Sequence, residues 1–209
     1  MKNIVFDFAG VLFHWQPHEL LRRCLPARAT DEASARHWEA QIFQGYVGDW
    51  GEFDRGTVAT AELVRRIARR TGLSEPEVQA VVDAVPAELQ PMPHTVALLQ
   101  RLRDAGHALY FLSNMPEPYA VHLEREHAFV GWFDAGLFSS RVHHNKPEPR
   151  IFELAAQRFQ AAPSSLVFID DMPANVQAAR DAGWNALHFQ NAVDCERHLR
   201  ANRWALDAR

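Results

Sequence analysis

Two kinds of hydrophobic pattern alternate along the chain. Residues 4–6, 108–112, 166–169 and 186–189 are short, continuous apolar runs with no polar alternation. Their β-branched and aromatic content predicts strands buried on both faces, as in a parallel sheet covered by helices. Between the later runs, apolar residues recur every three or four positions. Residues 94–105 carry Val96, Leu98, Leu99 and Leu102 and stop at Gly106. Residues 149–161 carry Ile151, Phe152, Leu154, Ala155 and Phe159, and residues 174–182 are closed by Gly183. Helical spacing with a glycine stop predicts a helix in each case. The alternation predicts an α/β fold, a doubly wound, Rossmann-like parallel sheet, in which ligands bind beyond the carboxyl ends of the strands.

Residues 15–90 break the alternation. Helical patterns at 18–24, 33–43 and 61–71 are not separated by any buried strand run, and Pro91-Met92-Pro93 ends the stretch. It reads as a helical insert over the strand ends, which divides the chain into a core of residues 1–14 and 91–209 and a cap of residues 15–90. A length of 209 residues suits one α/β domain with such an insert. Residues 45–51, with three glycines among aromatics, read as a mobile loop facing the site, and residues 194–209 as an amphipathic helix. Trp15, Trp38, Phe43, Tyr46, Trp50 and Phe53 are expected mostly to pack between helices.

A formal net charge of −4 leaves no basic footprint for nucleic acid or anionic lipid. No leader-like stretch precedes Asp7, and no apolar run approaches the ~18 residues of a membrane span, so a soluble, cytoplasmic protein is expected. Cys24 and Cys195 form no metal-spaced pair and read as reduced thiols. Lysine is scarce: Lys2 and Lys146 are the only two, which draws attention to Lys146.

The polar residues beyond the predicted strands carry the chemistry. They are Asp7 with Ala9-Gly10, Ser113-Asn114, Lys146-Pro147-Glu148-Pro149, and Asp170-Asp171 with Asn175. Each alone is ordinary: an aspartate caps a loop, Ser-Asn opens a turn, and paired acids cap a helix. Gathered at one edge of a sheet, they form a site.

In this order the pieces resemble the haloacid dehalogenase-like hydrolase superfamily, in its subclass with an early helical cap. The first motif is Asp7-Phe8-Ala9-Gly10-Val11-Leu12, the second Ser113, the third Lys146 within Lys-Pro-Glu-Pro-Arg-Ile-Phe, and the fourth Asp170-Asp171. The chain is most similar to the small bacterial sugar-phosphatase-like group and to the phosphatase domain of epoxide hydrolases. The resemblance implies a Mg2+-dependent phosphatase acting on a small phosphorylated metabolite of the sugar phosphate class. It implies Asp7 as nucleophile, and Ser113, Asn114 and Lys146 as the groups that hold the phosphoryl oxygens. It further implies a metal held by Asp7, the Ala9 carbonyl and Asp171, with Asp170 orienting this set or reaching the metal through water. Asn175 would fix the acidic loop. Such a carboxylate attacks phosphorus only if the phosphoryl charge is neutralised, which a cation and Lys146 would do.

One position departs from the pattern. Phosphatases of the superfamily usually carry a second aspartate two residues after the nucleophile, to protonate the leaving oxygen; here Ala9 stands there. General acid–base help is typically worth about 10²–10⁴-fold. His14 and His18, near the entry to the insert, are candidate replacements, and Arg22 and Arg23 are candidate contacts for a second anionic group. Phosphonate-cleaving relatives share an Asp-x-Ala-Gly motif but need a cap lysine, and none lies between Lys2 and Lys146. Two alternatives stay open: a 2-haloacid dehalogenase-type hydrolase, disfavoured by the paired acids, and a weakly active or inactive phosphate-binding protein. The expected partner is a small-molecule phosphate ester, with neither nucleic acid nor membrane; the oligomeric state is open.

Overall fold

The computed structural model describes residues 3–205. Five strands form one sheet: β1 (Asn3–Phe6), β2 (Ala108–Ser113), β3 (Ala135–Phe138), β4 (Leu166–Asp170) and β5 (Asn185–His188). Their order is β3-β2-β1-β4-β5, and every neighbouring pair is parallel. The α/β class and the doubly wound sheet are therefore as the sequence predicts, with β1 at the centre. Successive β1 side chains serve opposite faces: Ile4 and Phe6 enter one apolar cluster and Val5 the other.

Five helices lie between β1 and the proline that opens α6: α1 (Pro17–Cys24), α2 (Glu32–Phe43), α3 (Gly48–Asp54), α4 (Thr60–Thr71) and α5 (Glu75–Glu88). Beyond them come α6 (Pro93–Asp104), α7 (Glu117–Glu126), α8 (Pro149–Phe159), α9 (Pro173–Asp181) and α10 (Ala192–Ala201). α6 and α10 cover one sheet face through Leu98, Leu99, Leu102 and Leu199. α8 and α9 cover the other through Ile151, Phe152, Val176 and Ala179. α10 realises part of the predicted C-terminal helix; residues 206–209 lie outside the described residues. No helix among the described residues is long and apolar enough to cross a membrane.

Two elements differ from the sequence reading. β3 has only four residues, one of them Gly136, which sits in register with Phe111 on β2. A Cβ on Gly136 would come within 1.9 Å of the Phe111 ring, so packing requires the residue that weakens the strand signal. α3 occupies much of the stretch read as a mobile loop. Its two glycines are poor helix formers, but burial of Trp50 and Phe53 holds the turns in place. Phe43 and Trp50 pack edge to face with ring centroids 4.5 Å apart.

Candidate active site

The carboxyl ends of β1, β2 and β4 converge on one cavity of about 400 Å³, into which the helices between β1 and α6 also project. Asp7 follows directly on β1, and its amide continues the sheet by donating to the Ile169 carbonyl (2.9 Å). The chain then turns back sharply: the Phe8 carbonyl accepts from Val11, Leu12 and Phe13 amides at 2.8–3.1 Å. Gly10 makes the turn with φ +79°, and a Cβ there would fall 2.4 Å from an Asp171 carboxylate oxygen. Glycine thus lets the first and fourth motifs touch.

Lys146 is the centre of charge. Its ammonium lies 2.8 Å from Asp7 Oδ2 and 2.7 Å from Asp170 Oδ2, with its side chain almost wholly buried. Burial opposes the charge on Lys146, yet Asp170 and Asp7 hold its pKa above the usual lysine value. Its backbone is gripped from β2: the Lys146 amide donates to Asn114 Oδ1 (2.8 Å), and Asn114 Nδ2 donates to the Lys146 carbonyl (2.9 Å). The Asn114 side chain is therefore engaged in placing Lys146.

Asp170 is fully buried and its oxygens are taken. They accept from Lys146, from the Met172 amide (2.8 Å), and from Asn175 Nδ2 at 3.0 and 3.1 Å. Asn175 thus binds the acidic loop, the placement expected for it. Asp171 is less buried and its carboxylate faces Gly10. Oxygens of Asp7, Asp170 and Asp171 all lie within 4.8 Å of one another. Burial, opposed by Lys146 and reinforced by Asp170 and Asp171, pushes the Asp7 carboxyl above the ordinary range. Asp171 is pushed up by burial and by Asp170. Asp7 and Asp170 thus share one ammonium, and with Asp171 beside them the three carboxylates form a donor set that fits a hard divalent cation with oxygen ligands.

Ser113, at the end of β2, is buried and lines the same cavity, and its hydroxyl has no hydrogen-bond partner among the described residues. A buried, unpaired hydroxyl is costly unless a ligand satisfies it. It shares that cavity wall with Lys146.

The predicted residues Asp7, Ala9, Ser113, Asn114, Lys146, Asp171 and Asn175 all line the cavity. His14 and His18 do not. His14 is exposed, and His18 sits between Glu32 (2.9 Å) and Glu39 away from the cavity. Arg22 and Arg23 also lie elsewhere, ion-paired to Glu19 and Glu88. Of the aromatics, Trp15, Tyr46 and Trp50 reach the cavity wall, while Phe43 and Phe53 pack behind it.

Sequence reasoning missed one acidic lining residue, Asp54, at the end of α3. The run Asp54-Arg55-Gly56-Thr57 reads locally as a break, and Gly56 does take φ +75°. Nothing in that local pattern shows that Asp54 is buried against the site, only 5% exposed. A clue lay in Trp50 and Phe53, whose burial rotates Asp54 inward at the last turn of α3.

Comparison with known proteins agrees with this geometry. Residues 1–183 match the family of haloacid dehalogenase-like hydrolases. A sesquiterpene phosphatase from Aspergillus oryzae is 26% identical over 193 residues, covering 92% of this chain and 91% of its own. An (S)-2-haloacid dehalogenase from Pseudomonas putida is 26% identical over 192 residues, covering 88% of this chain and 83% of its own. The fold matches a family enzyme from Bacteroides thetaiotaomicron, solved with magnesium and inorganic phosphate, with a TM-score of 0.71 at 21% identity, over 91% of this chain and 94% of that one. The chain belongs to the haloacid dehalogenase-like hydrolase family and is a hydrolase.

Proposed function

We propose that the protein is a Mg2+-dependent phosphatase that attacks phosphorus with Asp7 and accepts monophosphates of largely apolar alcohols. The observation that carries the reading is the cluster of three carboxylates at the sheet edge, with oxygens within 4.8 Å of one another, two of which, Asp7 and Asp170, are held by Lys146. Asp7, Asp171 and the Ala9 carbonyl would hold the metal, and Asp170, already saturated by protein donors, would orient the set. The metal's contribution is neutralisation of phosphoryl charge. Ser113 Oγ would donate to a phosphoryl oxygen, beside the Lys146 ammonium, and Asn114 would act by fixing Lys146. Residues 15–90 form the cap that closes over this core of residues 1–14 and 91–209.

The dehalogenase alternative fits less well. A 2-haloacid brings its own carboxylate, and among the described residues Lys146 is the only basic one on the cavity wall, already shared by Asp7 and Asp170. A second anionic group on the substrate would meet uncompensated negative charge.

The substrate class follows from the far wall. Above the motifs stand Trp15, Val47, Trp50, Val85, Leu89 and Met115. Of the two tyrosine hydroxyls there, Tyr119 donates to the Val82 carbonyl (2.9 Å), and Tyr46 accepts from Trp15 Nε1 (2.6 Å), which leaves its own O–H as the one donor of the pair. Val47 and Met172, also lining, are exposed apolar residues at 65% and 42%. Sugar hydroxyls would find few partners on such a wall, so we place apolar alcohols ahead of the sugar phosphates the motif resemblance implies. The sesquiterpene phosphatase among the relatives accords with that choice.

A phosphate-release panel tests the reading. With Mg2+, kcat/KM is expected to rise along a series of n-alkyl and isoprenyl monophosphates, by about fourfold per buried methylene until the cavity is filled, from ~0.8 kcal/mol each. A chelator is expected to remove the activity. Absence of Mg2+-dependent release across alkyl, isoprenyl, aryl and sugar phosphates would overturn the phosphatase reading. Preference for sugar phosphates would overturn the substrate class alone.

A further inference from the structure

The missing acid at Ala9 poses a chemical problem that the helices above the site resolve. An alkoxide is a poor leaving group, so an alkyl phosphate needs a proton on its bridging oxygen as the P–O bond breaks. Resting on the phosphatase reading above, we infer that the Asp54 carboxyl is that proton donor, supplied by the cap in place of a first-motif acid.

Four observations carry this. Asp54 lines the same cavity as Asp7, Ser113 and Lys146. It is 5% exposed, no described residue hydrogen-bonds its carboxyl, and the carboxyl oxygens open on the cavity rather than being sealed in the core. A buried carboxyl with no partner is costly to a fold and is retained where a ligand needs it. It is also near enough to Lys146 and Asp7 to feel both charges while standing outside the three-carboxylate cluster, so it is not consumed as a metal ligand. Burial is the chief influence on it and keeps it protonated well above the ordinary range, opposed by Lys146 and reinforced by Asp7. Tyr46 and Tyr119, the titratable neighbours on the cap and on α7, are also pushed up by burial and stay neutral.

The acid is also fixed in place. The Ser139 hydroxyl, just beyond β3, donates to the Asp54 carbonyl (2.5 Å) and itself accepts from the Met115 amide (2.9 Å). Arg55, the next residue, donates to Glu148 at 2.5 and 3.0 Å and to the His143 carbonyl at 3.2 Å. Asn145 Nδ2 donates to the Gly51 carbonyl at 2.7 Å. The last turn of α3 is thereby clasped to the loops that present Met115 and Lys146, which is the precision proton transfer requires.

The step balances. Asp7 forms a bond to phosphorus as the ester P–O bond breaks, and the Asp54 O–H gives its proton to the departing oxygen, releasing the alcohol. The resulting Asp54 carboxylate then takes a proton from the water that attacks phosphorus; Asp7 is released as a carboxylate, with inorganic phosphate as product.

Leaving-group dependence tests this. In the wild type, kcat/KM is expected to change little between an activated aryl phosphate and an alkyl phosphate of matched size. In Asp54→Asn, alkyl turnover is expected to fall about 10²–10⁴-fold while aryl turnover changes far less. Adding Ala9→Asp to that variant is expected to recover alkyl turnover, since it returns an acid two residues after Asp7. Equal losses on both esters, or no loss on the alkyl ester, would overturn the inference. So would a steep dependence on leaving-group acidity in the wild type, a measurement that needs no variant. Failure of the phosphatase reading looks different: the aryl ester itself would not be hydrolysed by the wild type with Mg2+.

Discussion

Asp7→Asn is expected to abolish phosphate release, by on the order of 10⁴-fold or more in kcat, the scale seen when a catalytic nucleophile is removed. The change is nearly isosteric and keeps one oxygen to accept from Lys146 or from the Phe8 amide, which in the wild type donate to Asp7 at 2.8 and 2.7 Å. The fold should therefore stand. The sign of the stability change follows from the carboxyl's environment. Burial first, then Asp170 and Asp171, raises the folded-state pKa of Asp7 against the pull of Lys146. The folded state then holds its proton more tightly than the unfolded chain, so metal-free stability falls as pH rises from the ordinary carboxylate range through the raised value. Asparagine removes that loss. Metal-free Asp7→Asn should melt no lower than wild type at neutral pH, and an inactive but well-folded variant is the result to look for by calorimetry beside the phosphate assay.

Lys146→Met is expected to cost both activity and stability. The methionine fills much of the same space but leaves Asp7 and Asp170, 9% and 0% exposed in their side chains, without the ammonium they share. Removing one partner from a buried ion pair typically costs about 3–5 kcal/mol, because the remaining charge is stranded. In a chain of this size that lowers Tm on the order of 10 °C. The variant also loses neutralisation at both Asp7 and the phosphoryl group, so turnover should fall with it. Mg2+ should recover more stability in the variant than in the wild type, since it brings positive charge to the same carboxylates. Lys146→Arg should not rescue activity: the guanidinium is a wide planar fork, and the site holds a compact ammonium between two carboxylates. Melting curves with and without Mg2+ check both statements.

How much of this was legible in the sequence depends on how local the cause is. β1, β2, β4 and β5 were readable because a strand buried on both faces leaves an unbroken apolar run. The candidate residues Asp7, Ser113 and Asp170-Asp171 could be placed together because parallel strands deliver their carboxyl ends to one edge, and Lys146 reaches the same cavity from the loop before α8. β3 was not, because Gly136 answers to a ring on another strand, Phe111, and weakens its own local signal. α3 was hidden for a similar reason: its glycines argue for a loop, and only the burial of Trp50 and Phe53 makes the helix. α5 was not read from the sequence, although Ser74 and Glu77 form a capping box that is a local start signal; Pro86 lies inside the helix. Asp54 was the costliest omission. A turn-forming Asp-Arg-Gly sequence carries no mark of the long-range contacts, from Ser139, Glu148 and Asn145, that set its helix against the site. The histidines near the insert looked plausible by proximity in sequence, but His18 is claimed by Glu32 and Glu39.

Asp7 stands at the centre of the account, and the isotope fate of water tests it most directly. In a single turnover of an aryl phosphate with Mg2+ in H2¹⁸O, attack of water on phosphorus places the label in the released phosphate and leaves the Asp7 carboxylate unlabelled. Rapid acid quench and peptide mapping should, in the same experiment, find phosphate transiently on the peptide that contains Asp7. Label entering the Asp7 side chain, as in hydrolysis of a carbon ester, or phosphate mapping to any other residue, would contradict it.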